Sequence, residues 1–186
     1  SLTAVSSIFS SQGLRIWDVE ELDTHGGSLR VYGCHEESAR ATSVNVKQIL
    51  EKESHNGLTN ITIYREFQTR TESVKNNLIS FLIEQRKRGK SVAAYGAAAK
   101  GNTLLNYCGI KNDLIDFVVD ASPHKQGKYL PGSHIPVVSE EMIKKNKPDY
   151  ILILPWNLKD EIIDQLKYIN KWDAKFVLPI PKLEII

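Results

Sequence analysis

The chain has 186 residues, 41% of them hydrophobic and 25% charged, enough for one substantial globular domain or a domain with part of another. Its 24 basic against 22 acidic side chains leave a formal charge of +2, without the clustered Lys/Arg surface that nucleic acid or an anionic membrane requires. No stretch reaches the roughly 18 apolar residues of a membrane span, no signal peptide is visible, and Cys34 and Cys108 lie too far apart for a metal motif, so a reducing cytoplasm is the expected setting.

Leu2, Val5, Ile8 and Phe9 fall on one helix face, with Gly13 as the stop. "LRIWDVEEL" from Leu14 and "SLRVYG" from Ser28 read as two paired strands joined by the turn "DTHGG". Residues 36–57 read as a linker containing a helix that ends at Gly57. A long helix follows over about 62–88, with Phe67, Val74, Leu78, Phe81 and Leu82 as its stripe and Gly89 as its stop. Its basic end, "RKRGK" at 86–90, complements the helix dipole. Thereafter the pattern changes. "SVAAYG" is a buried strand, "KGNTLLNYCG" a helix, "IDFVVDAS" a second strand and "HIPVVS" a third, after which Ser139 caps a helix with Glu140 and Glu141 in its first turn. "DYILILP" is a strand, "LKDEIIDQLKYINKW" a helix with Ile162, Ile163, Leu166 and Ile169 inward, and "KFVLPIP" the last strand. Strands without alternation, separated by helices, predict a parallel sheet covered on both faces, hence a small Rossmann-like α/β domain.

The stretch "YGAAAKGNT" joins the first of these strands to its helix. Free N–H groups and the dipole at a helix start favour an anion, small residues let it approach, and Lys100 adds charge. The run is neither G-x-G-x-x-G nor a P-loop, and close helix–strand packing calls for the same small residues. Asp120 ends the second strand, where Rossmann proteins place a carboxylate for a ribose hydroxyl. Lys125 and Lys128 lie in the loop after it, and Trp156 offers a stacking face. The five histidines form no metal pattern with Cys or acidic residues. In "THGGSLR", His25, Ser28 and Arg30 surround a flexible backbone able to grip an anion or a sugar, or simply to make a hairpin turn.

Taken together, "GLRIWDVEELDTHGGSLRVYGCH", "VAAYGAAAKGNTLLNYCGI" and "VDASPHKQGKYLPGSHIPV" resemble the C-terminal half of the deoxysugar C-methyltransferases. The resemblance runs over nearly the whole chain. It implies a parent with an N-terminal zinc domain, a central S-adenosylmethionine (SAM) methyltransferase domain and a Rossmann-like part that helps hold a nucleotide-sugar. The chain then divides into 1–35, the helix–strand–strand remnant of the methyltransferase domain, 36–90, a helical linker with a long helix, and 91–186, the nucleotide-sugar domain. The absence of an initiator Met agrees with a piece that starts inside a larger protein. SAM and zinc are implied for the parent and neither for this piece, because the zinc cysteines, the SAM loop and the catalytic stretch of the family lie upstream. Carried over by position, Ala99, Lys100, Gly101 and Asn102 lie near the diphosphate of a dTDP-type sugar, and Asp120 and the 122–129 loop, which includes Lys125, flank the nucleotide; Gly96 of the same turn and Trp156, as a stacking face, join them as candidate substrate-binding residues. His25, Ser28 and Arg30 border the sugar, and His25 has at most a secondary part in catalysis. The alternatives are a non-catalytic Rossmann-like module for another phosphorylated ligand and an NAD-linked sugar enzyme, the latter disfavoured by the missing G-x-G-x-x-G.

Overall fold

Strands that are apolar on both sides organise the larger part of this computed structural model, which describes residues 1–186. The chain forms two compact units, Ser1–Gln68 and Thr69–Ile186. No helix is long and apolar enough to cross a membrane.

The first unit holds α1 (Leu2–Ser10), β1 (Leu14–Leu22), β2 (Ser28–His35), α2 (Val44–His55) and the start of α3 (Ile61–Lys87). β1 and β2 pair antiparallel from Leu14↔His35 to Leu22↔Ser28, with an irregularity between Ile16 and Asp18. That shift keeps Ile16 and Val19 on one face, where they meet Leu2, Val46 and Ile49. The helix placed in a linker by the sequence pattern thus shares a core with α1 and the hairpin. Glu53 of α2 fastens α1, because its carboxylate accepts the N–H groups of Leu2 (2.6 Å) and Thr3 (2.8 Å) at the helix start. Arg15 does the work of secondary structure for the connection after β2. Its guanidinium donates to the carbonyls of Glu36 (3.3 Å), Ser38 (2.7 Å) and Arg40 and to Oγ1 of Thr42 (3.1 Å).

The second unit holds the rest of α3, then β3 (Val92–Tyr95), α4 (Ala99–Cys108), β4 (Val118–Val119), β5 (Val137–Val138), α5 (Glu141–Asn146), β6 (Tyr150–Ile153), α6 (Lys159–Gln165), β7 (Lys175–Leu178) and β8 (Glu184–Ile185). The sheet order is β5-β4-β3-β6-β7-β8; all neighbours are parallel except β7 and β8. Counted from its own first strand this is 3-2-1-4-5-6, the doubly wound Rossmann order. Successive residues of each strand face opposite layers. Val92, Ala94, Val118, Leu152 and Val177 pack with Leu78, Phe81 and Leu82 of α3 and Leu104 and Leu105 of α4. Ala93, Tyr95, Val119, Ile151, Ile153 and Phe176 pack with Ile143 of α5 and Ile162 of α6. Each fully buried Val, Leu or Ile among them contributes about 1.5–3 kcal/mol.

Four details differ from the sequence expectation. Ser139 does not cap α5; the cap position is Glu140, and it makes no side-chain cap bond. The helix expected over 158–172 is α6 followed by a 3-10 segment, Lys167–Trp172, whose three-residue period brings Leu166, Ile169 and Trp172 to the same core. Phe67 is exposed, since a repeating stripe marks a face of α3 but not how much of its length is covered. β8 carries too little pattern to be read as a strand. The basic run 86–90 is also more than a dipole partner: Arg86 pairs with Asp116, Arg88 with Glu84 and Lys90 with Asp149.

Two glycines set how closely β6 approaches the start of α4. A Cβ on Gly96, at φ +95, would lie 2.3 Å from Cγ of Pro155, and one on Gly101 would lie 2.6 Å from Cβ of Leu154. At the opposite end of these strands, Asp149 accepts from Lys90 Nζ (2.8 Å), Ser91 N–H (2.9 Å) and the Ser91 hydroxyl (3.1 Å). Burial alone would raise the Asp149 carboxyl; Lys90 and Ser91 outweigh it and hold the group below the ordinary aspartate value.

Gly96→Ala is expected to lower stability by about 3 kcal/mol through strained φ and overpacking, read as a lower urea midpoint; an unchanged midpoint overturns the packing account. Asp149→Asn is expected to cost about 2 kcal/mol at neutral pH. Because the folded pKa is depressed, that difference is complete above about pH 4 and narrows as pH falls through the folded value. A pH-independent difference in paired unfolding curves argues against it.

Candidate functional site

The sheet order reverses between β3 and β6, and ligands of open α/β sheets bind outside the carboxyl ends of the strands at such a point. Here that place lies between the turn Gly96–Ala98 and the turn after β6, Leu154-Pro155-Trp156-Asn157. Gly96 N–H still bonds Val119 O at 2.7 Å, and Ala98 N–H bonds Gly96 O at 2.9 Å. The chain then enters α4 with Ala98 at the cap position and no side-chain cap. The first backbone bond into the helix is Asn102 N–H to Ala98 O, 3.0 Å, so the N–H groups of Ala99, Lys100 and Gly101 have no protein acceptor. They form a compact cluster of donors at the positive end of a helix ten residues long.

Lys100 spans this crevice. Its ammonium donates to Oδ1 of Asn157 and stands 4.9 Å from the centre of the Trp156 ring. The side chain therefore ties the α4 start to the β6 turn, and Trp156 serves it as a cation–π face. Asn157 is the partner that sequence reasoning did not single out; its position beside Trp156 at a strand end was the only signal.

Asp120 is 8% exposed and closely held. Its Oδ2 accepts from Ala97 N–H (2.8 Å) and Lys125 Nζ (3.0 Å), and its Oδ1 from Ser122 N–H (2.9 Å). Gln126 Nε2 adds a bond to the Asp120 carbonyl, 2.9 Å. The carboxylate thus fixes the Gly-Ala turn to the loop after β4. That loop, residues 120–136, takes the place of a crossover helix, closing on itself through Tyr129 and Pro136. It rests on α4, with Asn106 Nδ2 donating to Pro131 O at 3.0 Å. Two buried side-chain oxygens here have no hydrogen-bond partner, Oδ1 of Asn102 and Oγ of Ser133.

Gly96, Ala99, Lys100, Gly101, Asn102, Asp120, Lys125 and Trp156 accordingly all lie in the second unit, around the β3, β4 and β6 ends. Gly96 and Gly101 are accounted for by protein packing against Pro155 and Leu154. His25, Ser28 and Arg30 lie in the first unit. His25 sits in the left-handed region at φ 59 in the turn Thr24–Gly26. The Ser28 hydroxyl closes that turn on Thr24 O (2.9 Å), and Arg30 pairs across the strands with Glu20 at 3.0 Å, which also accepts from the Tyr32 hydroxyl. The hairpin thus satisfies Ser28 and Arg30 internally. No three His, Cys, Asp or Glu side chains are grouped so as to hold a metal ion, so the residues present do not fit zinc.

The chain is 39% identical, over all of its 186 residues, to the C-methyltransferase NovU of Streptomyces niveus, and spans 44% of that relative's length. Among solved structures it is similar to the UDP-D-quinovosamine 4-dehydrogenase of Vibrio fischeri, 19% identical, over 52% of this chain and 93% of that one, with a TM-score of 0.38, too slight a likeness to bear on function. Residues 23–181, which include both the hairpin turn and the whole of the crevice, match the C-methyltransferase C-terminal domain, and the chain belongs to that family.

Proposed function

We propose that this chain is the nucleotide-sugar-binding part of a SAM-dependent C-methyltransferase that acts on a dTDP-type keto-deoxysugar. The observation that carries the reading is the α4 start: three unpartnered N–H groups beside the Lys100 ammonium, at the switch point of a family member's sheet. Such a site suits a diphosphate, which offers several anionic oxygens to backbone donors and one charge partner. Trp156 borders the same crevice and supplies a face for the base or sugar. His25, Ser28 and Arg30 are assigned, within the first unit alone, to contact with a sugar or an anion, for which Arg30 exchanges Glu20.

SAM supplies the methyl group when bound, and both it and zinc belong to the remainder of the parent; no residue of this chain is assigned to either. What these residues contribute is binding and orientation. The diphosphate, anchored at α4, fixes the reach of the attached sugar and so presents its reacting carbon in one geometry. A second reading, a module for some other phosphorylated ligand, draws on the same donors; the packing against Pro155 and Leu154 accounts for Gly96 and Gly101 without a ligand but leaves the donors at the α4 start unexplained.

Calorimetric titration with dTDP, using NAD and SAM as controls, separates these. Saturable dTDP binding, weakened about tenfold in Lys100→Ala by loss of one charge-assisted contact, is the expected result. Absence of dTDP binding, or equal binding in the variant, overturns the assignment. In the parent enzyme, Lys100→Ala is expected to raise KM for the nucleotide-sugar several-fold with little change in kcat, the mark of lost uniform binding.

A further inference from the structure

In doubly wound nucleotide-binding sheets the acid at the end of the second strand takes a ribose hydroxyl, and it stands about twenty residues beyond the glycine turn. Asp120 occupies that position, at the end of β4, but its environment is different. A carboxylate has about four lone-pair sites. Three are filled here, by Ala97 N–H, Ser122 N–H and the Lys125 ammonium, all within 3.0 Å, and the residue is only 8% exposed. The group that does face outward is Lys125, whose side chain is 47% exposed while that of Asp120 is 11% exposed. Lys125 has no acceptor besides Asp120 and keeps donor capacity for a ligand.

We infer that the Asp120–Lys125 pair converts the ribose-reading acid into a mount for a cationic donor, so that the crevice does not distinguish ribonucleotides from 2′-deoxyribonucleotides. The inference rests on the nucleotide reading above and adds a specificity to it. A free carboxylate would hold a 2′-hydroxyl by a charge-assisted bond, and a site built around that bond rejects the deoxy form strongly. A carboxylate with three of about four lone-pair sites engaged and its side chain only 11% exposed gains little from the extra hydroxyl. What the position rewards instead is an acceptor, a phosphate oxygen or a base carbonyl, within reach of the Lys125 ammonium.

Thymidine diphosphate and ribothymidine diphosphate differ only in the 2′-hydroxyl and make the direct test. Titrated against the unaltered chain, they are expected to bind within about threefold of each other, less than the tenfold or more that a charged hydrogen bond provides. In Lys125→Met, folding being checked by circular dichroism, both are expected to bind more weakly, and the ribo form is expected to gain a preference of about tenfold as Asp120 becomes available. A tenfold ribo preference in the unaltered chain overturns the inference and leaves the nucleotide reading standing. So does a folded Lys125→Met that remains indifferent. Failure of both nucleotides to bind the unaltered chain removes the nucleotide reading and the inference with it. The unaltered chain decides between these outcomes even where the variant does not fold.

Discussion

The second unit is built around one close approach. Leu154 and Pro155 press against the backbone of Gly101 and Gly96 at distances no Cβ would permit. That contact seats the start of α4 directly over the β6 end. It brings Lys100 to Asn157 and Trp156, and it holds Ala97 where its N–H meets Asp120. Small residues at a strand–helix turn are usually discussed as room for a phosphate. Here their first role is to let protein meet protein, and the unpartnered donors at the α4 start follow from the resulting geometry.

Several cationic groups of the second unit are matched individually rather than massed. Arg86, Arg88 and Lys90 each meet a different carboxylate, Lys125 meets Asp120, and Lys100 meets a neutral amide and an aromatic face. Pairing of this kind offsets these charges locally, in keeping with a net charge of +2. Lys100 is the exception in kind, since its partners are uncharged. An incoming anion competes with an amide oxygen and a ring, not with a carboxylate, for this ammonium.

Most of the architecture was legible because the strands are buried on both faces. Val92–Tyr95, Tyr150–Ile153 and the Phe176-Val177-Leu178 part of β7 interrupt helical periodicity as continuous apolar runs, and the glycines at 13, 57, 89 and 109 mark helix ends. The hairpin was legible from its Gly-Gly turn. Less accessible was anything that depends on a partner distant in sequence. The exposure of Phe67, the shortness of β4, the pairing of β8 and the change from α-helix to 3-10 at Leu166 are decided by what packs against them. At the site, sequence reasoning placed Lys100, Asp120 and Trp156 at the same sheet edge, as observed. It could not show that Asp120 is enclosed, because Ser122 and Gln126 are unremarkable loop residues until the loop folds back. Nor could it show that Arg30 meets Glu20, which only the register of the hairpin sets opposite it.

The central strand carries a kinetic consequence. Ala94 of β3 pairs on one side with Val118 and on the other with Leu152, so neither neighbour is local in the chain. The hairpin of the first unit, by contrast, closes Leu22 onto Ser28 across a short turn. Loop closure must be met before distant pairings reward it, so the hairpin is positioned to form early, while the parallel sheet waits for its β6 segment. During synthesis the residues through β5 emerge with one edge of β3 still unpaired. An edge of that kind, apolar on both faces, is the segment of this chain most exposed to wrong pairing before the native order is complete.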